Sequence, residues 1–175
     1  MNTWKIDHAH SHIQFKVKHL VVTTLGGHFN KFDATVESSK DDFTDAKITF
    51  EADVDSISTG NEQRDGHLKS DDFFNAATYP KVSFVSTELK KVDGENYKLT
   101  GNLTMRDKSL PVTLDVLYGG TVTSPYGQTI AGFELTGKIN RKDFGLKWNA
   151  TTEAGNIVVS DEVKLVIGVE MVKQN

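Results

Sequence analysis

Apolar residues recur at every second position along most of this chain, the pattern of β-strands with one face buried and the other in water. Ile13, Phe15, Val17 and His19 alternate with Gln14, Lys16 and Lys18. Trp4 and Ile6 run in the opposite phase, and the slip falls between His8 and Ser11, where a bulge or kink is predicted. A second slip separates Phe29 from Phe32, Ala34 and Val36. Ile48, Phe50, Ala52 and Val54 form a clean run. So do Val82 with Phe84, Tyr97 through Met105, Leu110 through Tyr118, Phe133 through Ile139, and Val163 through Met171.

About eight strands result, most of them joined by short connections. Asp93-Gly94-Glu95-Asn96, Arg106-Asp107-Lys108-Ser109 and Ser124-Pro125-Tyr126-Gly127 carry hairpin chemistry. Short hairpins make neighbouring strands antiparallel. The expected class is therefore all-β, in one domain over 1–175. An up-and-down barrel of eight antiparallel strands removes the exposed edges and is wide enough for one small ligand. A two-sheet sandwich fits the same strand count.

One stretch breaks the alternation. Residues from about Asn61 to Asn75 read as a short helical insert, with Asn61 as cap and Leu68, Phe73 and Phe74 able to dock on the barrel. A second helical turn is predicted at Leu20 to Thr24.

Composition narrows the function. A quarter of the residues are charged and 37% are apolar, which favours a folded globular chain. The net charge of -4 comes with no dense basic cluster, so nucleic acid is not an expected partner. Cysteine is absent, which excludes thiol catalysis, disulfides and Cys-based zinc sites. No run approaches the roughly 20 apolar residues of a spanning helix, so stable membrane insertion is not expected. Met1 to Lys5 starts a strand pattern without a leader-like run, giving an expected cytoplasmic location, or a periplasmic one if a leader has been removed.

The phrase Ile57, Thr59, Arg64-Asp65, His67-Leu68, Ser70, Phe73-Phe74 and Pro80 is the most specific part of the chain. With Ile6-Asp7, His10-Ser11, Phe15, Val17, His19, Gly27, Phe29 and Phe32 before it, and Gly101, Leu103-Thr104, Pro111-Val112, Arg141 and Phe144-Gly145 after it, the chain resembles the YceI-like family. That resemblance implies a lipocalin-like barrel with a long apolar cavity and a ligand of the isoprenoid class, such as a polyprenyl phosphate or a quinone tail. Family members are often dimeric, so a second copy of the chain is an expected partner. The hairpin at Arg106-Asp107-Lys108, where the family often has glycine, is expected to change a loop and not the cavity.

Candidate ligand contacts follow from phase and insert. Ile13, Phe15, Val17, His19, Phe50, Phe84, Leu99, Leu103 and Phe133 fall on inward phases. Arg64, His67, Phe73 and Phe74 lie in the insert over the mouth. Phase alone does not separate a solid core from a cavity wall; Gly101 and Gly137, also inward, suggest spare room. Arg64 is a natural partner for a phosphate head through its planar fork, or else a local anchor for the insert.

His8, His10 and His12 would point one way on a regular strand, about 6.5–7 Å apart, and could approach a metal. The predicted kink crosses the run, so no metal site is assigned there. No G-x-S-x-G elbow or phosphate-binding loop occurs, and no cofactor is expected. The leading function is a carrier or store for a long apolar lipid. Alternatives are an enzyme in which His19 or His67 moves a proton, and a stress-related protein with incidental lipid.

Overall fold

The computed structural model describes residues 1–150 and 158–175. Its strands are β1 (Asn2–Ile6), β2 (His12–His19), β3 (Thr23–Phe29), β4 (Phe32–Ser38), β5 (Lys47–Asp53), β6 (Ile57–Ser58), β7 (Lys81–Asp93), β8 (Asn96–Met105), β9 (Lys108–Thr123), β10 (Thr129–Asn140) and β11 (Glu162–Lys173). All pairings are antiparallel, and β11 returns to pair with both β1 and β2, so the sheet closes on itself.

These segments make an eight-stranded up-and-down barrel, because three strands are each broken once. β1 and β2 run along β11 in succession, β4 and β3 line up behind them, and β5 with β6 forms the next strand. The first break is the predicted one. Residues His8–His10 form a single 3-10 turn that Asp7 caps by accepting from the Ala9 amide. Ser11 keeps the ladder satisfied there, its hydroxyl accepting from the Glu170 amide at 3.0 Å. The break between β3 and β4 falls at Asn30 and Lys31, the second predicted slip.

The two ends of the barrel differ. At one, the loop between β4 and β5 folds inward and buries Phe43 against Trp4, Tyr118 and Phe133, with ring centroids 5.2, 5.5 and 5.2 Å away. Asp45 pins this loop by accepting from the Ser38 hydroxyl and the Ser39 and Lys40 amides, and the Tyr97 hydroxyl donates to the Asp42 carbonyl at 2.8 Å.

At the other end lie the β2–β3 turn, the segment between β6 and β7, and the described residues 141–150 and 158–159 after β10. The insert contains one helix, α1 (Glu62–Lys69), capped by Asn61 as expected. It ends earlier than the sequence suggests: from Ser70 the chain turns so that Phe73 and Phe74 reach the barrel and are buried. The helical turn expected at Leu20 to Thr24 is instead a tight hairpin turn. Leu20 and Val21 take positive φ of 53° and 68°, and the Val22 amide donates to the His19 carbonyl.

The reading of Gly101 and Gly137 as spare room is also corrected. A Cβ on Gly101 would lie 2.4 Å from the Phe84 ring and 2.5 Å from the Val85 carbonyl, and one on Gly137 would lie 2.3 Å from Leu114. These glycines give space to neighbouring large side chains.

Candidate functional site

The barrel encloses a cavity of about 600 Å³. That lies within the ~300–1,000 Å³ typical of small-molecule sites. Its wall is built from inward positions of every long strand, and Phe43 lies at its floor. The rim is made by β2 and β3, by α1 and the turn after it, and by Leu146, Trp148, Val158 and Val159.

Alternation explains the wall. Ile13, Phe15, Val17 and His19 come from β2; Phe50 from β5; Phe84 from β7; Leu99 and Leu103 from β8; Phe133 from β10. Arg64, His67, Phe73 and Phe74 come from the insert. All these sequence-derived candidates line the same cavity. An aromatic relay fastens insert to wall: Phe15 packs on Phe29 at 5.8 Å, and Phe29 meets Phe74 edge-on at 6.2 Å.

Polar groups gather at the rim. Arg64 spends two of its groups locally, Nε donating to the Thr59 hydroxyl at 2.8 Å and Nη2 to the Thr59 carbonyl at 2.6 Å. Thr59 in turn donates to Asp65. This knot ties α1 to β6, the anchoring role weighed for Arg64, while the side chain still borders the cavity. His67 pairs through Nε2 with Asp72 at 2.8 Å and packs edge-on against Phe73 and Trp148. Arg106 does more than alter a loop: it donates to the carbonyls of Asp71 and Phe73 and pairs with Asp71, holding the insert over the mouth.

Several lining residues were not legible as such, Phe43, Leu146, Trp148 and Arg141 among them. Phe43 is a lone aromatic in the acidic run Asp41-Asp42-Phe43-Thr44-Asp45, and that isolation was its signal. Leu146 and Trp148 lie in a stretch without periodicity. Arg141, which the sequence marked only through the family resemblance, is buried and donates to the carbonyls of Leu146, Trp148, Val159 and Ser160. One guanidinium thus organises the coil at the rim. Burial pulls its pKa down, with Asp161 opposing, and an arginine remains charged at neutral pH regardless.

The three early histidines diverge. His8 Nε2 sits 2.8 Å from the Phe32 carbonyl oxygen, His10 Nδ1 is 2.8 Å from Asp7, and His12 leans over Gly168. Glu170 lies 3.9 Å from His10. This surface pairing lowers the Asp7 pKa and raises that of His10, chiefly through their mutual hydrogen bond.

A closed antiparallel barrel around a large apolar cavity is the architecture of the lipocalin-like barrels. The chain belongs to the YceI-like domain family, whose model matches residues 4–171. An UPF0312 protein of Pectobacterium carotovorum is 40% identical over 165 residues, covering 94% of this chain and 82% of its own. The crystal structure of Burkholderia cenocepacia BcnA superposes with a TM-score of 0.82 at 25% identity, over 94% of this chain and 98% of that one. A polyisoprenoid binding domain from Saccharophagus degradans shares the fold, with a TM-score of 0.64 at 16% identity and 98% coverage of both chains.

Proposed function

We propose that this protein binds one long isoprenoid chain inside the barrel, as a polyprenyl phosphate or isoprenoid quinone, and serves as its carrier or store without altering it chemically. The observation that carries this reading is the cavity: about 600 Å³, walled by aliphatic and aromatic side chains, with polar groups confined to the rim. Such a space rewards a ligand that is apolar along its length and polar only at one end. The tail would run from the mouth toward Phe43. A head group would remain near His19, His67 and the Nη1 group of Arg64, which the Thr59 knot leaves unused.

Affinity then comes from removing chain from water, at roughly 0.8 kcal/mol per methylene. Each added isoprene unit, with five carbons to bury, should strengthen binding by about a hundred-fold or more until the tail reaches the floor. Intact mass spectrometry under native conditions, with an organic extract of the same sample, should show one isoprenoid per chain. A ladder of isoprenoid lengths should then show the stepwise gain. Affinity independent of length, or only scattered substoichiometric lipids, would reject the reading.

A further inference from the structure

Three consecutive apolar residues form the tip of the β2–β3 turn. Leu20, Val21 and Val22 are 37%, 59% and 79% exposed. Leu20 and Val21 hold the left-handed backbone at φ 53° and 68°. Asn and Gly suit such hairpin positions, and a β-branched residue is strained there. Stability in water would therefore favour a different pair. Val17, His19 and Leu25, which flank the turn, line the cavity, so the tip stands on the lip of the mouth.

A basic strip adjoins it on the outer surface. Lys16 faces Lys164 across the β2–β11 pairing, and Lys164 faces Lys138 across β11–β10. Lysines opposite one another in a sheet repel, so this row also costs stability. Lys18 follows in the same phase on β2 toward the tip and also borders the cavity rim, and all four are exposed. Glu162 is held by Lys138 at 3.4 Å and Asp161 by Lys142 at 3.1 Å. Among the described residues, Lys16, Lys18 and Lys164 have no carboxylate at ion-pair distance. The strip runs against the chain's net charge of -4.

We propose that the β2–β3 tip and the lysine strip together form a docking surface for an anionic lipid bilayer. The aliphatic tip enters the headgroup boundary while the lysines lie over the charged surface, which turns the mouth toward the membrane. Lysines alone would also attract nucleic acid, but a phosphate backbone offers no place for three aliphatic side chains. The proposal rests on the lipid-cargo reading for its purpose: a tail could pass between bilayer and cavity without crossing water.

The test is cosedimentation with isoprenoid-free vesicles of phosphatidylcholine, with and without phosphatidylglycerol. The wild type should bind the anionic vesicles about ten-fold more tightly than the zwitterionic ones, and less so as salt rises. Leu20→Asn with Val21→Gly relaxes the backbone and removes the apolar tip. This variant should melt no lower than wild type yet bind anionic vesicles about ten-fold more weakly. Lys16→Gln with Lys164→Gln should lose the anionic preference.

Absence of vesicle binding at low salt, or equal binding by all three proteins, overturns the proposal. Tighter retention on a single-stranded oligonucleotide than on vesicles overturns it in favour of nucleic acid. Vesicle binding without any isoprenoid uptake would sustain the docking surface and reject the cargo reading instead. Isoprenoid uptake with no vesicle binding would do the reverse.

Discussion

At the residue scale, Phe43 decides the depth of the cavity. It holds φ at 62°, a conformation that its side chain does not favour, because three aromatic neighbours and a pinned loop place it there. Its benzyl group is slightly larger than one isoprene unit. Phe43→Gly should therefore extend the longest well-bound isoprenoid by about one unit. Losing the ring costs packing, about 3–5 kcal/mol, part of which the relaxed backbone returns. The length ladder reads the effect directly, and an unchanged optimum would mean that Phe43 is not the floor. Arg141 works by a different route. It touches the rim through backbone carbonyls, so it shapes the mouth by fixing a coil whose own sequence has no regular ladder to form.

At the element scale, the floor loop depends on carboxylates. Hydrogen bonds from Ser38, Ser39 and Lys40 hold the Asp45 pKa below its ordinary 3.8, and those from Thr44 do the same for Asp42. A carboxyl whose folded pKa is depressed stabilises the fold above the ordinary value and stops doing so as pH falls through the folded one. The loop should thus stay closed at neutral pH and loosen only below about pH 4. Thermal melts across pH 2–7 should show this acid loss, and Asp45→Asn should flatten the part of it that Asp45 contributes. The kink at Asp7–Ser11 is a second element with its own logic. A capping carboxylate and a serine hydroxyl accept from the Ala9 and Glu170 amides, so the strand changes phase with these two donors paired.

At the scale of the whole molecule, closure through β11 pairs most of the described strand edges. The interior is then an apolar wall around a cavity, and its wall atoms gain dispersion contacts only where something lies against them. A tail that fills it supplies them, so ligand and fold are thermodynamically linked. At free ligand one hundred times Kd the stabilisation is about 2.7 kcal/mol. For a chain of this length that raises Tm by about 5–10 °C. Calorimetry with and without a fitting isoprenoid checks it; no shift at saturating ligand would contradict binding inside the barrel.

Much of this was legible in order along the chain. Period-two alternation marked the long strands, the two phase slips marked two of the breaks, and Asn61 marked the start of α1, because each is a local matter of backbone geometry and side-chain spacing. The inward faces of β2, β5, β7, β8 and β10 followed from the same period. What the sequence by itself determined is therefore the long strands, three hairpin connections and which residues of those strands turn inward. Whether those residues meet across a solid core or around a space was decided only by the tertiary structure. Barrel width depends on how all eight strands close together, and alternation is the same in both cases. The floor at Phe43, the rim built on Arg141 and the anchoring of the insert by Arg106 also belong to the folded chain. Each rests on contacts between segments far apart in sequence, where no local period carries a signal.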